Sequence, residues 1–273
     1  MSALVASTRM YNVAPSTTQA WTRLLEAVSA RAGIPLAVIP HAFPAPLEEL
    51  WSRPDLGCAF MCGWPLAQEN LSVITPRPIL AAPVPISEWS EDQPVYRSDF
   101  LVAADAPFND IIETFGKRFA FNARTSHSGY NMPRAHLSQH AAHAPLFAEL
   151  VGPLTTPRRC LEAVAEGRAE LTAIDSYAMQ LLRRYDPDFA ARVRAIGHTA
   201  RSPIPPLVAS PTLPIIARNR LRQALLTLHE DSAGQPLLAA LCLARFAPAT
   251  ARTYRATLLP APLARANRYP ELV

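Results

Sequence analysis

Short apolar runs rich in β-branched and small residues alternate along this chain with helical segments, and that alternation restricts the fold more than any other feature. Residues 4–8 form a brief apolar run. Residues 17–32 follow, with Trp21, Leu24, Leu25 and Val28 on one helical face and Gly33 as the stop. A β-rich run at 34–39, a short helix at 47–51 ahead of Pro54, and a strand at 58–62 ending in "CGWP" continue the pattern. Residues 71–74 and 79–84 read as strands, and 96–103 as a longer strand with polar alternation. This rhythm selects an α/β architecture with a largely parallel sheet.

The rhythm then starts again. A short helix at 111–115, a strand at 118–122 and a helix over roughly 129–143 come first; Pro133 moves that helix start toward Met132. A strand-like "LTT" at 154–156, a helix at 158–166 stopped by Gly167, a strand at 171–174, a helix at 176–184 and a strand at 193–198 complete the second set. "TARSPIPPLVASPTLP", residues 199–214, is too proline-dense for a helix and reads as extended chain. An amphipathic helix at 215–229 and a shorter one at 237–243 precede a tail carrying Pro248, Pro260, Pro262 and Pro270. Two extended crossings, near 96–103 and 196–211, predict two lobes with a cleft between them: residues 1–97 plus 203–273 in lobe 1, and 98–202 in lobe 2.

Composition narrows the classes of function. With 273 residues, 49% hydrophobic and 18% charged, the chain can bury sizeable cores and has length for about two domains. No apolar run approaches the roughly 20 residues of a membrane span. The opening "MSALVASTRMYNV" has neither a basic nor a long apolar leader region. The expected compartment is therefore the periplasm if a leader has been removed, and the cytoplasm otherwise. Net charge is +4, and Lys117 is the only lysine among 26 basic residues. The arginines are scattered among acids, so no nucleic-acid partner is expected. Cys58, Cys62, Cys160 and Cys242 form no C-x-x-C pair. Buried thiols are expected, although Cys58 and Cys62 are near enough in sequence to bridge if oxidised.

The stretch "FNARTSHSGYNMP", 121–133, carries the first functional signal. Thr125, Ser126, His127 and Ser128 stand between a strand and a helix start, followed by Gly129. In α/β proteins ligands bind where strands end and helices begin. The first helix N–H groups lack partners and the helix dipole makes that end positive, so added hydroxyls suit an anion. One serine would suffice for a plain helix cap. Tyr11 after the first strand, Gly63 and Trp64 after the third, and Asp175 and Ser176 after the "TAID" strand are the other candidates at strand ends. For the aromatics the alternative is packing on the sheet; for Asp175 it is a helix cap.

Metal and enzyme chemistry are weakly encoded. His136, His140 and His143 share a helical face, but no H-E-x-x-H is present, and a solvated face is the expectation. No G-x-S-x-G, P-loop or G-x-G-x-x-G occurs. His127 beside Ser126 and Ser128 is not a base with its nucleophile, since sequence neighbours seldom reach that geometry. No catalytic residue, metal or cofactor is expected.

The order "RMYN", "CGWP", "YRSDFLVAADAP", "FAFNARTSHSGYNMP" and "CLEAVAEGRAELTAIDSY" resembles the substrate-binding proteins of phosphate and phosphonate ABC importers, and more closely their widespread uncharacterised relatives. The resemblance covers about residues 5–210. Its most specific pieces are S-x-S-G at 126–129 and "AVAEGRAELTAID" at 163–175. It implies a type II periplasmic-binding-protein-like fold: two α/β sandwich lobes joined by two extended crossover segments, closing by a hinge on ligand. It also implies an anion loop at Thr125–Ser128, with Tyr11 and Asp175 as further ligand residues. The chain departs from the family at Pro157, where a histidine is common, and at Trp64, because the usual aromatic of "C-G-x-P-Y" stands two residues later. The implied partners are a small anionic ligand and an ABC permease, and the implied state is a monomer. An enzyme acting on a small anionic metabolite in the same cleft, and a cytoplasmic ligand sensor, are the competing readings.

Overall fold

Helix boundaries in this protein follow local backbone chemistry. In a computed structural model, which describes residues 3–73, 76–141 and 145–273, strand β1 (Leu4–Ser7) passes through a tight turn at Arg9–Tyr11 into helix α1 (Pro15–Ala32). Pro15 occupies the first helical turn, where a missing N–H costs nothing. Gly33 ends the helix at φ 61°, a left-handed backbone that a Cβ disfavours. Trp21, Leu24, Leu25 and Val28 are fully buried, as the periodicity predicts. Then come β2 (Leu36–Val38), α2 (Leu47–Trp51), β3 (Leu56–Phe60), α3 (Gly63–Ser72) and β4 (Ile79–Pro85). Residues 71–73 are not the expected strand. Leu71 and Ser72 finish α3 with Leu71 exposed, so a surface leucine near Val73 imitated an apolar run. Ile74 lies outside the described residues.

The chain continues as β5 (Val95–Tyr96), β6 (Ser98–Ala103), β7 (Arg118–Ala120), α4 (Met132–Leu137), β8 (Glu149–Val151), α5 (Pro157–Ala165), β9 (Leu171–Asp175), α6 (Ser176–Tyr185), α7 (Pro187–Ala190) and β10 (Val193–His198). It ends with β11 (Ser202–Pro203), β12 (Leu207–Val208), α8 (Ile215–Leu226), α9 (Gly234–Ala240), β13 (Leu243–Ala247), α10 (Ala251–Tyr254) and α11 (Pro260–Ala266). The strand expected at 154–156 falls instead at β8, which pairs in parallel with β7. The helix expected over 129–143 is broken into a wide turn at His127–Asn131, α4, and a tight turn at Ser138–His140. The helix expected at 237–243 is displaced to α9, and the residues after it form β13.

Two compact units result: residues 1–95 with 203–255, and residues 96–202 with 256–273. In the first, the strand order is β13-β4-β12-β3-β1-β2. β1 runs parallel to β2 and β3, whereas β12 is antiparallel to β3 and β4, and β13 is antiparallel to β4. In the second the order is β10-β6-β9-β7-β8, with β7 parallel to β8 and β9, and β6 antiparallel to β9 and β10. The sheets are thus more mixed than expected. β6 and β12 each enter a sheet just after the chain has passed from one unit to the other, and both run against their neighbours. β5 and β11, at those two passages, pair with each other.

The chain makes a third passage that the sequence reading did not anticipate, because residues 256–273 group with the second unit rather than the first. The cause is apolar. Tyr269 and Leu272 are buried in a core with Phe100, Phe119, Phe121, Tyr130, Leu137, Phe147 and Leu171. Full burial of one such side chain is worth roughly 1.5–3 kcal/mol. The Leu146 N–H also donates to the Val273 carbonyl at 2.8 Å.

Candidate functional site

In the first unit the candidate residues follow the C-terminal ends of two adjacent parallel strands, β1 and β3. Tyr11 is buried, with its ring edge-on to Phe60 at 4.8 Å and stacked with Trp21 at 6.4 Å. Gly63 and Trp64 open α3, whose cap residue Cys62 supplies no side-chain bond to the helix N–H groups. Trp64 is half-buried, and its indole makes no hydrogen bond or ring contact among the described residues. The cysteines are thiols; burial pushes Cys58 and Cys160 up to about 12.

In the second unit the candidates again follow adjacent parallel strands, β7 and β9. After β7 the chain turns at Ala123–Ser126, where the Ser126 N–H donates to the Ala123 carbonyl at 3.0 Å. The Ser126 hydroxyl caps the following turn by accepting from the Gly129 N–H at 3.0 Å. As an acceptor in that bond it keeps its own proton to give. The turn is wide, with Asn131 N–H donating to the Ser126 carbonyl five residues back at 3.0 Å. Gly129 is dictated by space: a Cβ there would stand 2.1 Å from Asn122 Oδ1. Thr125 is exposed and Ser128 half-buried, and neither hydroxyl bonds to any described residue.

His127 lies within this loop but is fully buried. Its Nε2 is 2.9 Å from Ser202 Oγ and its Nδ1 is 3.0 Å from Asn131 Nδ2. Desolvation lowers its pKa to about 3, so the imidazole is neutral at physiological pH. Arg124 stacks against Phe121 and Tyr130, bonds to the Tyr130 hydroxyl at 2.8 Å and pairs with Glu271. The uncommitted donors of the loop are consequently neutral hydroxyls, with no uncompensated cation among them.

Asp175, at the end of β9, is buried and caps α6; one carboxylate oxygen accepts from the Tyr177 and Ala178 N–H groups at 2.8 and 3.1 Å. Ser176 is buried and bonded to Arg97 in both directions: its N–H donates to the Arg97 carbonyl at 2.9 Å, and its hydroxyl accepts from the Arg97 N–H at 3.2 Å. The structure therefore brings Thr125–Gly129 and Asp175–Ser176 to neighbouring strand ends of one sheet, and the wide turn packs against β9. Nearby Asp99, on β6, is buried; burial pushes its carboxyl pKa up, while Arg97 at 3.1 Å pulls it down. Asn131, Arg134, Thr199 and Ser202 also belong to this polar region. Only the four-residue spacing of His127 and Asn131 could have shown any of them in advance.

His136 and His140 fall on separate helical turns, and His143 lies outside the described residues. Among the described residues no group of three His, Cys, Asp or Glu side chains is placed to hold a metal ion. No helix among them is long and apolar enough to cross a membrane.

Two α/β units joined by several passages of the chain, each with polar or aromatic groups at its parallel strand ends, are the architecture of the periplasmic-binding-protein class. The profile of the family described as "ABC transporter, phosphonate, periplasmic substrate-binding protein" matches residues 11–254. The chain belongs to that family. Among solved structures it is similar to a binding protein component of an ABC phosphonate transporter from Pseudomonas aeruginosa, at 15% identity and TM-score 0.80, covering 97% of this chain and 87% of that one. It is similar to PhnD1 from Prochlorococcus marinus in complex with methylphosphonate, at 17% identity and TM-score 0.76, covering 94% and 96%. A Xanthomonas citri protein bound to ATP is also similar, at 18% identity and TM-score 0.63, covering 98% of each chain. No curated protein matches the sequence. The fold and the family establish a small-molecule substrate-binding protein of an ABC uptake system.

Proposed function

We propose that this chain captures a small phosphonate- or phosphate-like oxyanion at Thr125–Gly129, without chemically transforming it, and presents it to an ABC permease. The observation that carries the reading is the division of labour in the loop. Ser126 and Gly129 hold the backbone, while the Thr125 and Ser128 hydroxyls have no described partner. Neutral hydroxyls and helix N–H groups stabilise an oxyanion without needing a counter-charge. The similar protein that holds methylphosphonate supports the choice of ligand class. Tyr11, Gly63, Trp64, Asp175 and Ser176 remain the proposed further ligand residues, and the periplasm is the proposed compartment.

A thermal-shift screen of methylphosphonate, phosphate, sulfate and small carboxylates tests the reading, since a ligand that binds only the folded state raises Tm. Methylphosphonate or phosphate is expected to raise it, and calorimetry should show the effect weakened in Ser128→Ala. A response to carboxylates alone would overturn the oxyanion assignment. Hinge closure is read separately by small-angle scattering: the radius of gyration should fall when the ligand is added. An unchanged curve with binding confirmed would leave capture in place and remove closure.

A further inference from the structure

His127 was a candidate ligand by sequence, yet its imidazole is fully enclosed and both ring nitrogens face named partners. We propose that His127 is a positioning residue of the oxyanion loop: a neutral imidazole that accepts from Asn131 at Nδ1 and donates from Nε2 to Ser202, tying the loop to the chain that leaves the second unit. The inference rests on the oxyanion reading above and deepens it.

The proton's place follows from the partners. Arg134 Nη2 stands 3.0 Å from Asn131 Oδ1, and a guanidinium can only donate. Asn131 Nδ2 stands 3.2 Å from the Thr257 carbonyl, which can only accept. These two contacts agree on one orientation of the Asn131 amide. The group facing His127 Nδ1 at 3.0 Å is therefore an N–H donor, and Nδ1 must be the bare nitrogen. A neutral imidazole then carries its proton on Nε2 and gives it to Ser202 Oγ at 2.9 Å. An imidazolium would set N–H against N–H at Asn131. Burial favours the same neutral form.

Two consequences separate this role from others a histidine could hold. The ring offers no positive charge to an anion. Nor is it a base for Ser202, because Nε2 already carries the proton and the serine oxygen receives it. What His127 supplies is geometry. It sits between Ser126 and Ser128, so fixing its ring fixes the backbone that aims both hydroxyls. A loop fixed before binding loses less entropy when the anion arrives. Arg134 extends the tie by donating to the Pro270 carbonyl at 2.5 Å, so the loop, β11 and the last residues of the chain share one polar network.

The test uses the full chain, methylphosphonate as the probe, and four variants. Heteronuclear NMR of the wild-type imidazole should show the neutral, Nε2-protonated tautomer at pH 7. Ser202→Ala should weaken methylphosphonate about tenfold, the equivalent of one internal hydrogen bond. His127→Asn, too short to reach Ser202, should do the same, and the double variant should be no weaker than either single one. His127→Gln can place an amide N–H near the Nε2 position and should hold affinity within about threefold of wild type. A cationic or Nδ1-protonated ring, wild-type affinity in folded Ser202→Ala, or a Gln variant as weak as the Asn variant would each overturn the positioning role. The NMR arm needs no variant to fold. If the wild-type protein binds no oxyanion at all, the functional reading fails first; binding by wild type with indifference to His127 and Ser202 fails only this inference.

Discussion

The strand ends after β1 and β3 in one unit and those after β7 and β9 in the other hold equivalent places in their sheets, but they use their side chains differently. In the first unit Tyr11 is packed between Phe60 and Trp21, so most of its surface serves the core. In the second, Ser126, His127 and Gly129 are engaged in holding a turn, while Thr125 and Ser128 have no described partner. The contrast teaches that a strand-end position does not by itself make a contact residue. The two sites differ in how far the hydrogen bonds and packing surface of each side chain are already engaged within the protein.

The contrast breaks most visibly at Tyr11. Tyr11→Ala should destabilise the fold by about 3–5 kcal/mol, as expected for an aromatic truncated in a packed core. Urea unfolding without ligand measures this, and a loss under about 1 kcal/mol would show that the ring contributes little to the core. Ser128→Ala should do the reverse. It should cost about 1.5–3 kcal/mol of methylphosphonate binding with Tm nearly unchanged, because only a bond to a charged ligand is lost. Equal effects on Tm and affinity would make Ser128 structural.

A third measurement uses pH to isolate the supporting side chain. The folded pKa of His127, about 3, lies below the ordinary value of 6.5. The unfolded chain therefore binds the extra proton first. The contribution of the neutral ring is complete above pH 6.5 and is lost as pH falls from 6.5 toward 3, at roughly 1.4 kcal/mol per unit. Urea unfolding at pH 7 and pH 5 should differ by about 2 kcal/mol from this group, and His127→Gln should remove that part of the slope. The smallest effect belongs to Thr125→Ala. Thr125 is exposed, so its bond to an anion competes with water and should be worth about 0.5–1.5 kcal/mol by calorimetry.

Much of the architecture could be read from the residues because amphipathic period and stop signals coincided. Trp21, Leu24, Leu25 and Val28 with Gly33 marked α1, and the "TAID" run followed by Ser176 marked β9 and α6. The end of the chain was illegible for the opposite reason. The tail was marked only by its prolines, and Pro260 opens α11 in the first turn, where proline is tolerated. Tyr269 and Leu272 are too few and too widely spaced to show a period, although both are core residues of the second unit. The loop itself was recognisable from its run of polar side chains between strand and helix. Its internal division was not, because Ser202 is 75 residues from the histidine it fixes, and no local pattern links them.

The burial of Tyr269 and Leu272 beside Phe119 and Phe147 also sets an order on biosynthesis. A ribosome that has released residue 202 has supplied every strand of the second unit's sheet, yet the aromatic cluster beneath it still lacks its last two members. Until they emerge, that face stays open to water and to other chains, while the intervening residues complete the first unit. Residues 256–273 thus complete the second unit after the first, as the seal on a core begun some 170 residues earlier, a separation on the order of the length of a typical domain.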